Sequence, residues 1–140
     1  MKRNWDLLRY IMTKIESAEA DQMFYFPKSA YPIPPEIAIY YDIENLGQDN
    51  LNKEILESVL LLGDEKLIDM VPPVRNAAGS IGMVIVYRLT NSGHNFIDLS
   101  RDDNQWKDAK QKIVKSGGAA TITILTQLLI AGAKQQLGLS

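Results

Sequence analysis

Cysteine is absent from the 140-residue chain. That excludes disulfides, thiolate metal sites and a cysteine nucleophile, and is compatible with a reducing compartment. Histidine occurs once, as His94, so no pair of imidazoles is available to a transition metal. Positive charge is not in excess: 15 Lys and Arg stand against 17 Asp and Glu, for a net charge of -2 and a pI of about 5.4. The field of the whole chain therefore repels a polyphosphate, and any nucleic-acid surface has to be local. No apolar run reaches the roughly 20 residues that a membrane-spanning helix needs; the nearest, Ala119 to Ala133, contains Thr121, Thr123, Thr126 and Gln127. Met1-Lys2-Arg3 is basic, but Asn4, Asp6 and Arg9 keep the next residues polar, so the apolar stretch of an export signal does not form. A cytoplasmic location without a membrane span is the expectation. No nucleophile with an adjacent base, and no pair of carboxylates in unlike settings, can be picked out. A non-enzymatic protein without cofactor, metal or small-molecule substrate is expected.

What is present is an ordinary globular composition, with 46% apolar and 23% charged residues in one domain's length. From Asn4 to about Glu19, Trp5, Leu8, Met12 and Ile15 recur at helical spacing, with Leu7 and Ile11 widening the stripe; Asn4 suits the cap and Asp6 the positive end of the helix dipole. From Ala20 to Asn50, Pro27, Pro32, Pro34 and Pro35 break the pattern into an irregular connection. Within it, residues 36–43 are β-branched and aromatic enough for a short strand, while Pro34-Pro35-Glu36 equally suits a helix start. Asn52 to Gly63 reads as a second helix, with Asn52 as cap, Gly63 as stop, and Ile55, Leu56, Val59, Leu60 and Leu62 inward.

Lys66 to Val71 and Ile81 to Arg88 read as the strands of a hairpin spanning 66–89, joined by a long turn-rich loop from Pro72 to Ser80. Thr90 then caps a helix starting near Asn91, with Phe96 and Ile97 inward. A charged segment from Gln105 to Lys115 comes next, carrying Lys107, Lys110, Lys112 and Lys115. After Gly117-Gly118 an apolar helix runs to about Gly138. A helix leading into a hairpin whose second strand feeds another helix is the outline of an α+β winged helix-turn-helix fold. Residues 1–103 form the winged-helix domain on this reading, and 104–140 a C-terminal helical extension packed on it or used as an interface.

The opening Met1-Lys2-Arg3-Asn4-Trp5-Asp6-Leu7, Arg88-Leu89-Thr90 with Gly93-His94 and Phe96, Arg101-Asp102-Asp103 with Trp106, and the closing Leu137-Gly138-Leu139 together resemble an uncharacterised bacterial and phage domain family of winged-helix outline. The chain departs from it in the insert around Pro27 to Asn50 and at Glu57-Ser58. The resemblance implies a fold and a bacterial or prophage setting, and no catalytic residue.

By analogy with helix-turn-helix proteins, the helix before the hairpin corresponds to the one that enters the major groove. Asn52 and Lys53 on it, with Arg75 and Asn76 in the wing, are the candidate DNA contacts; Lys2, Arg3 and Lys66 are candidate phosphate contacts. Against this, Glu54, Glu57, Asp64 and Glu65 outnumber the bases nearby. The rival reading is a protein-interaction subunit, such as an accessory or antitoxin-like partner in a phage-defence or toxin cassette. It would use a homodimer or partner interface through Leu125, Leu128, Leu129 and Leu137. His94, Asp98 and Asp102 share one face of a continuous helix, a spacing also open to a metal, but a single imidazole favours a packed structural role. Arg101, Asp102 and Asp103 read as an ion-pair network orienting Trp106.

Overall fold

The computed structural model describes residues 4–19, 21–38, 43–117 and 120–138. Among them, six helices and a small three-stranded antiparallel sheet share one hydrophobic core. In chain order they are α1 (Trp5–Glu16), β1 (Phe24–Phe26), a 3₁₀ turn (Lys28–Ala30), α2 (Pro35–Ala38), α3 (Ile43–Asp64), β2 (Ile68–Met70), β3 (Val84–Leu89), α4 (Asn91–Ser100), α5 (Asp103–Lys115) and α6 (Ile122–Gln136).

α1 forms as its pattern predicts. The Asn4 carboxamide oxygen accepts from the Leu7 amide at 2.9 Å, and Trp5, Leu7, Leu8, Ile11, Met12 and Ile15 are buried. The helix stops at Glu16, three residues short of the expected end. β3 is the central strand, in the order β1-β3-β2, paired Phe24↔Val86 and Phe26↔Val84 on one side and Ile68↔Leu89 on the other. Phe24, Phe26, Val84 and Val86 point into the core, and the alternation of strand side chains leaves Tyr25 and Tyr87 outside. At the outer edge of β1, the Tyr25 amide donates to the Ser29 hydroxyl at 2.7 Å.

Four expectations are corrected. The third strand comes from Phe24–Phe26, inside the supposed irregular connection, because Phe24 and Phe26 can both bury against β3 while Tyr25 faces out. Of the 36–43 segment, Glu36 to Ala38 is helical as part of α2, Ile43 opens α3, and 39–42 lie outside the described residues. α3 begins at Ile43, so Asn52 lies in mid-helix and caps nothing. The modest helix cost of Gly47 and Asn50 is outweighed by a helix that buries Leu51, Ile55, Val59 and Leu62 along one face.

Nor does α3 stop at Gly63. Lys66 takes the left-handed conformation at φ 59°, its amide donates to the Gly63 carbonyl at 3.0 Å, and the Leu67 amide donates to the Leu62 carbonyl at 2.9 Å. This is the paired-bond helix terminator that glycine usually supplies, here with lysine at the left-handed position. The next residues are tied to α4. Thr90 donates through its hydroxyl to the Lys66 carbonyl at 2.7 Å and through its amide to the Leu67 carbonyl at 2.9 Å, while its hydroxyl oxygen accepts from the Gly93 amide at 3.1 Å. One threonine thus caps α4 and fastens it to the end of α3.

The approach is so close that a Cβ added to Gly93 would lie well inside contact distance of the Leu67 carbonyl oxygen, with Leu89 Cβ 3.3 Å away. α5 and α6 close the other side of the core. Trp106 sits edge-on to Phe96 at 6.2 Å, and Ile122, Leu125 and Leu129 of α6 are buried in the same cluster. The core is therefore continuous across the 103/104 boundary.

Gly93→Ala should destabilise the fold by about 2–3 kcal/mol, because the nearest atoms are backbone and cannot swing aside; urea unfolding measures it. Lys66→Gly should do the reverse and raise stability by up to about 1 kcal/mol, since glycine carries no left-handed penalty; a midpoint that falls would refute the strain assigned to Lys66.

Candidate functional site

One predicted contact, Asn52, lies where α3 meets the base of the β2–β3 connection. Asn52 lies in a groove of about 500 Å³ with Tyr25, Phe26, Pro27, Lys28, Tyr31, Gly82 and Met83. Its carboxamide oxygen accepts from the Tyr31 hydroxyl at 2.5 Å. Lys53 beside it is exposed, and so is Lys66 at the far end of the helix.

The β2–β3 connection has an ordered tip. The Asn76 amide donates to the Ser80 carbonyl at 2.7 Å, the Asn76 carboxamide oxygen accepts from the amides of Ala78 and Ser80 at 3.0 Å each, and Arg75 donates to the Gly79 carbonyl at 2.7 Å. Asn76 thus commits its side-chain oxygen to holding the loop, and Arg75, though exposed, has one guanidinium nitrogen turned back onto it. Lys2 and Arg3 lie outside the described residues.

The charged cluster is a brace between α1 and the helices α4 and α5. Trp106 is buried, and its indole nitrogen donates to Asp6 Oδ1 at 2.8 Å; Lys110 Nζ reaches both oxygens of the same carboxylate at 2.7 and 2.9 Å. The Arg9 guanidinium lies 5.1 Å from the Trp106 ring centroid and pairs with Asp103 at 3.0 Å. Arg101 bridges Asp98 and Glu16, and those two acceptors raise its pKa further above the usual guanidinium range.

The helix expected to carry His94, Asp98 and Asp102 on one face is interrupted. α4 ends at Ser100, and Asp102 caps α5 by accepting from the amides of Asn104 and Gln105 at 3.0 and 3.1 Å. Among the described residues, no group of three or more His, Asp or Glu side chains is arranged to hold a metal ion. His94 is exposed rather than packed, and lines a cleft of about 520 Å³ with Glu16, Glu19, Asp21, Tyr87 and Arg88.

Sequence reasoning misses Asp6, Arg9 and Lys110 as partners of Trp106. The available signal is the indole N–H, which needs an acceptor once the ring is buried. The expected basic face of α5 is divided: Lys110 is bound to Asp6 and Lys112 to Asp108 at 3.2 Å, while Lys107 and Lys115 are exposed. Of the four interface leucines, Leu125 and Leu129 are fully buried in the chain's own core, Leu128 is partly buried and Leu137 is 74% exposed. A partner on α6 would instead meet Ile124, Ile130 and Leu137, the large apolar side chains exposed on that helix and its cap.

A family model described as "Hypothetical protein (DUF2513)" matches residues 2–119. No curated protein and no solved structure matches the chain. No helix among the described residues is long and apolar enough to cross a membrane.

Asp6→Ala should cost about 2 kcal/mol, because it strands the buried indole N–H of Trp106. Asp103→Ala, which removes only an exposed partner of Arg9, should cost less than about 1 kcal/mol. Chemical denaturation of both variants compares them, and equal losses would contradict the central place given to Asp6.

Proposed function

The chain belongs to the family described as hypothetical protein DUF2513, and from that premise we propose that it is a non-enzymatic winged-helix module that binds DNA in a regulatory role, through α3 and the β2–β3 connection acting as the wing. The element order supports this reading: α1, β1, α2 and α3 are followed by two strands, with the second strand between the other two in the sheet. The observation that carries it is the meeting of α3 with the wing base, where Asn52 shares a groove with Gly82 and Met83. A helix and a hairpin loop presented side by side can contact base edges and backbone together. Lys28 in that groove and Lys53 next to Asn52 are exposed and supply positive charge there, while Lys66 at the end of α3 and Arg75 in the connection are exposed cations of the same two elements.

A second reading has its own support. Glu54, Glu57, Asp64 and Glu65 are exposed on and just after α3, and Met23, Tyr25, Met83 and Tyr87 are exposed on or beside the sheet. A protein partner would tolerate the acids and cover the apolar side chains, making the chain an accessory subunit. Purification from a native host with and without nuclease separates the two: enriched DNA speaks for the module, and a stoichiometric protein surviving nuclease speaks for the subunit.

Arg75→Glu should weaken duplex binding and lower the slope of log affinity against log salt by about 1, the share of one phosphate contact. Anisotropy titrations across a salt series measure this, and an unchanged slope would remove the wing from the interface.

A further inference from the structure

Three clefts on the surface differ in charge. The one beside His94 is lined by Glu16, Glu19 and Asp21 with Arg88, and the one between α5 and α6 by Asp102 and Asp108. Among its described lining residues the groove at Asn52 has no carboxylate and one exposed cation, Lys28. Its walls are aromatic and soft: Tyr25 is 43% exposed and Met83 51% exposed, with Tyr31 and Pro27 between them.

These walls are held from behind. Phe24 and Phe26 on either side of Tyr25 stack on one another in the core at 6.1 Å, and the Tyr25 amide is fixed by Ser29. Tyr31 occupies the Asn52 carboxamide oxygen, so the donors that Asn52 offers the groove are those of its amide nitrogen.

From these features we infer that the groove takes one unpaired nucleotide of a single-stranded nucleic acid, its base against Tyr25 and Met83, a base carbonyl or ring nitrogen on the Asn52 amide, and its phosphate on Lys28. A planar ring with acceptors on its edge and an anion beside it matches what the walls supply, and base stacking on an exposed aromatic is indifferent to sequence. The inference rests on the nucleic-acid reading above and adds that the same face holds an unstacked base.

The test is anisotropy of the full-length chain with labelled oligothymidylate, oligouridylate and a mixed-sequence duplex, for the unaltered protein, Tyr25→Ala and Lys28→Glu, each checked for native circular dichroism. Tyr25→Ala should weaken single-strand binding about tenfold or more and leave duplex binding within about twofold. Lys28→Glu should weaken single-strand binding and lower its salt dependence. Comparing the deoxy and ribo strands identifies which nucleic acid supplies the nucleotide. If duplex binds while neither variant alters single-strand affinity, the groove assignment is wrong and the DNA reading stands; if no nucleic acid binds, both fall. Equal competition by inorganic polyphosphate would reduce the site to a charge contact and overturn the inference. Displacement by a short Tyr-Asp peptide would assign the groove to a protein ligand and also overturn it. If Tyr25→Ala fails to fold, Met83→Ala, at a more exposed position, replaces it with the same expected loss.

Discussion

The fold turns on the bonds that Thr90 makes. Its hydroxyl and amide take the carbonyls of Lys66 and Leu67, and the same hydroxyl oxygen caps α4 through Gly93. Three segments, two of them far apart in sequence, therefore have their backbone groups satisfied at one point: the end of α3, the entry to β2 and the start of α4. Buried or half-buried backbone groups without partners are costly, and here one residue avoids that cost at the end of α3, the entry to β2 and the start of α4. Without it, the end of α3 and the start of α4 would lose their backbone connection.

What the sequence makes legible is what local chemistry determines. The caps at Asn4 and Thr90 come from a side-chain oxygen within reach of amides three residues on, and both form. The helical stripe of α1 and the central strand β3 are readable for the same reason, because their periodicity is short-range. Non-local facts are not readable. Phe24 and Phe26 make a strand only because β3 lies beside them, and a three-residue run among prolines carries no signal of that. Lys66 in a left-handed conformation contradicts its own preference and is held there by Leu62, Gly63 and Thr90. Gly63 does not mark the stop; it lies inside α3 facing Met70, where a side chain would press on the methionine sulfur, so the glycine answers a packing need and not a turn.

The candidate site is half legible. The sequence marks Asn52 as a helix cap and base contact; it is a mid-helix residue whose carboxamide is oriented by Tyr31, 21 positions earlier. Arg75 and Asn76 look like equivalent wing contacts, and both side chains bond within the loop itself, Asn76 accepting from the Ala78 and Ser80 amides and Arg75 donating to the Gly79 carbonyl. Around Trp106, the pairing of Asp6 with residues about a hundred positions away cannot be read from any local pattern, although the indole's need for an acceptor can. The leucines of α6 show the common ambiguity of an apolar stripe, since the periodicity that would suit a partner is the periodicity that buries Leu125 and Leu129 at home.

The hydroxyl of Ser29 has a consequence for how copies of this chain can meet. In a three-residue edge strand whose outer residues face β3, Tyr25 is the residue whose amide turns outward, and Ser29 already occupies it. An incoming strand finds no donor row to register against. The sheet is finished at three strands on that side, so association there proceeds through side chains, where shape and charge can discriminate, and not through backbone pairing, which accepts almost any extended chain.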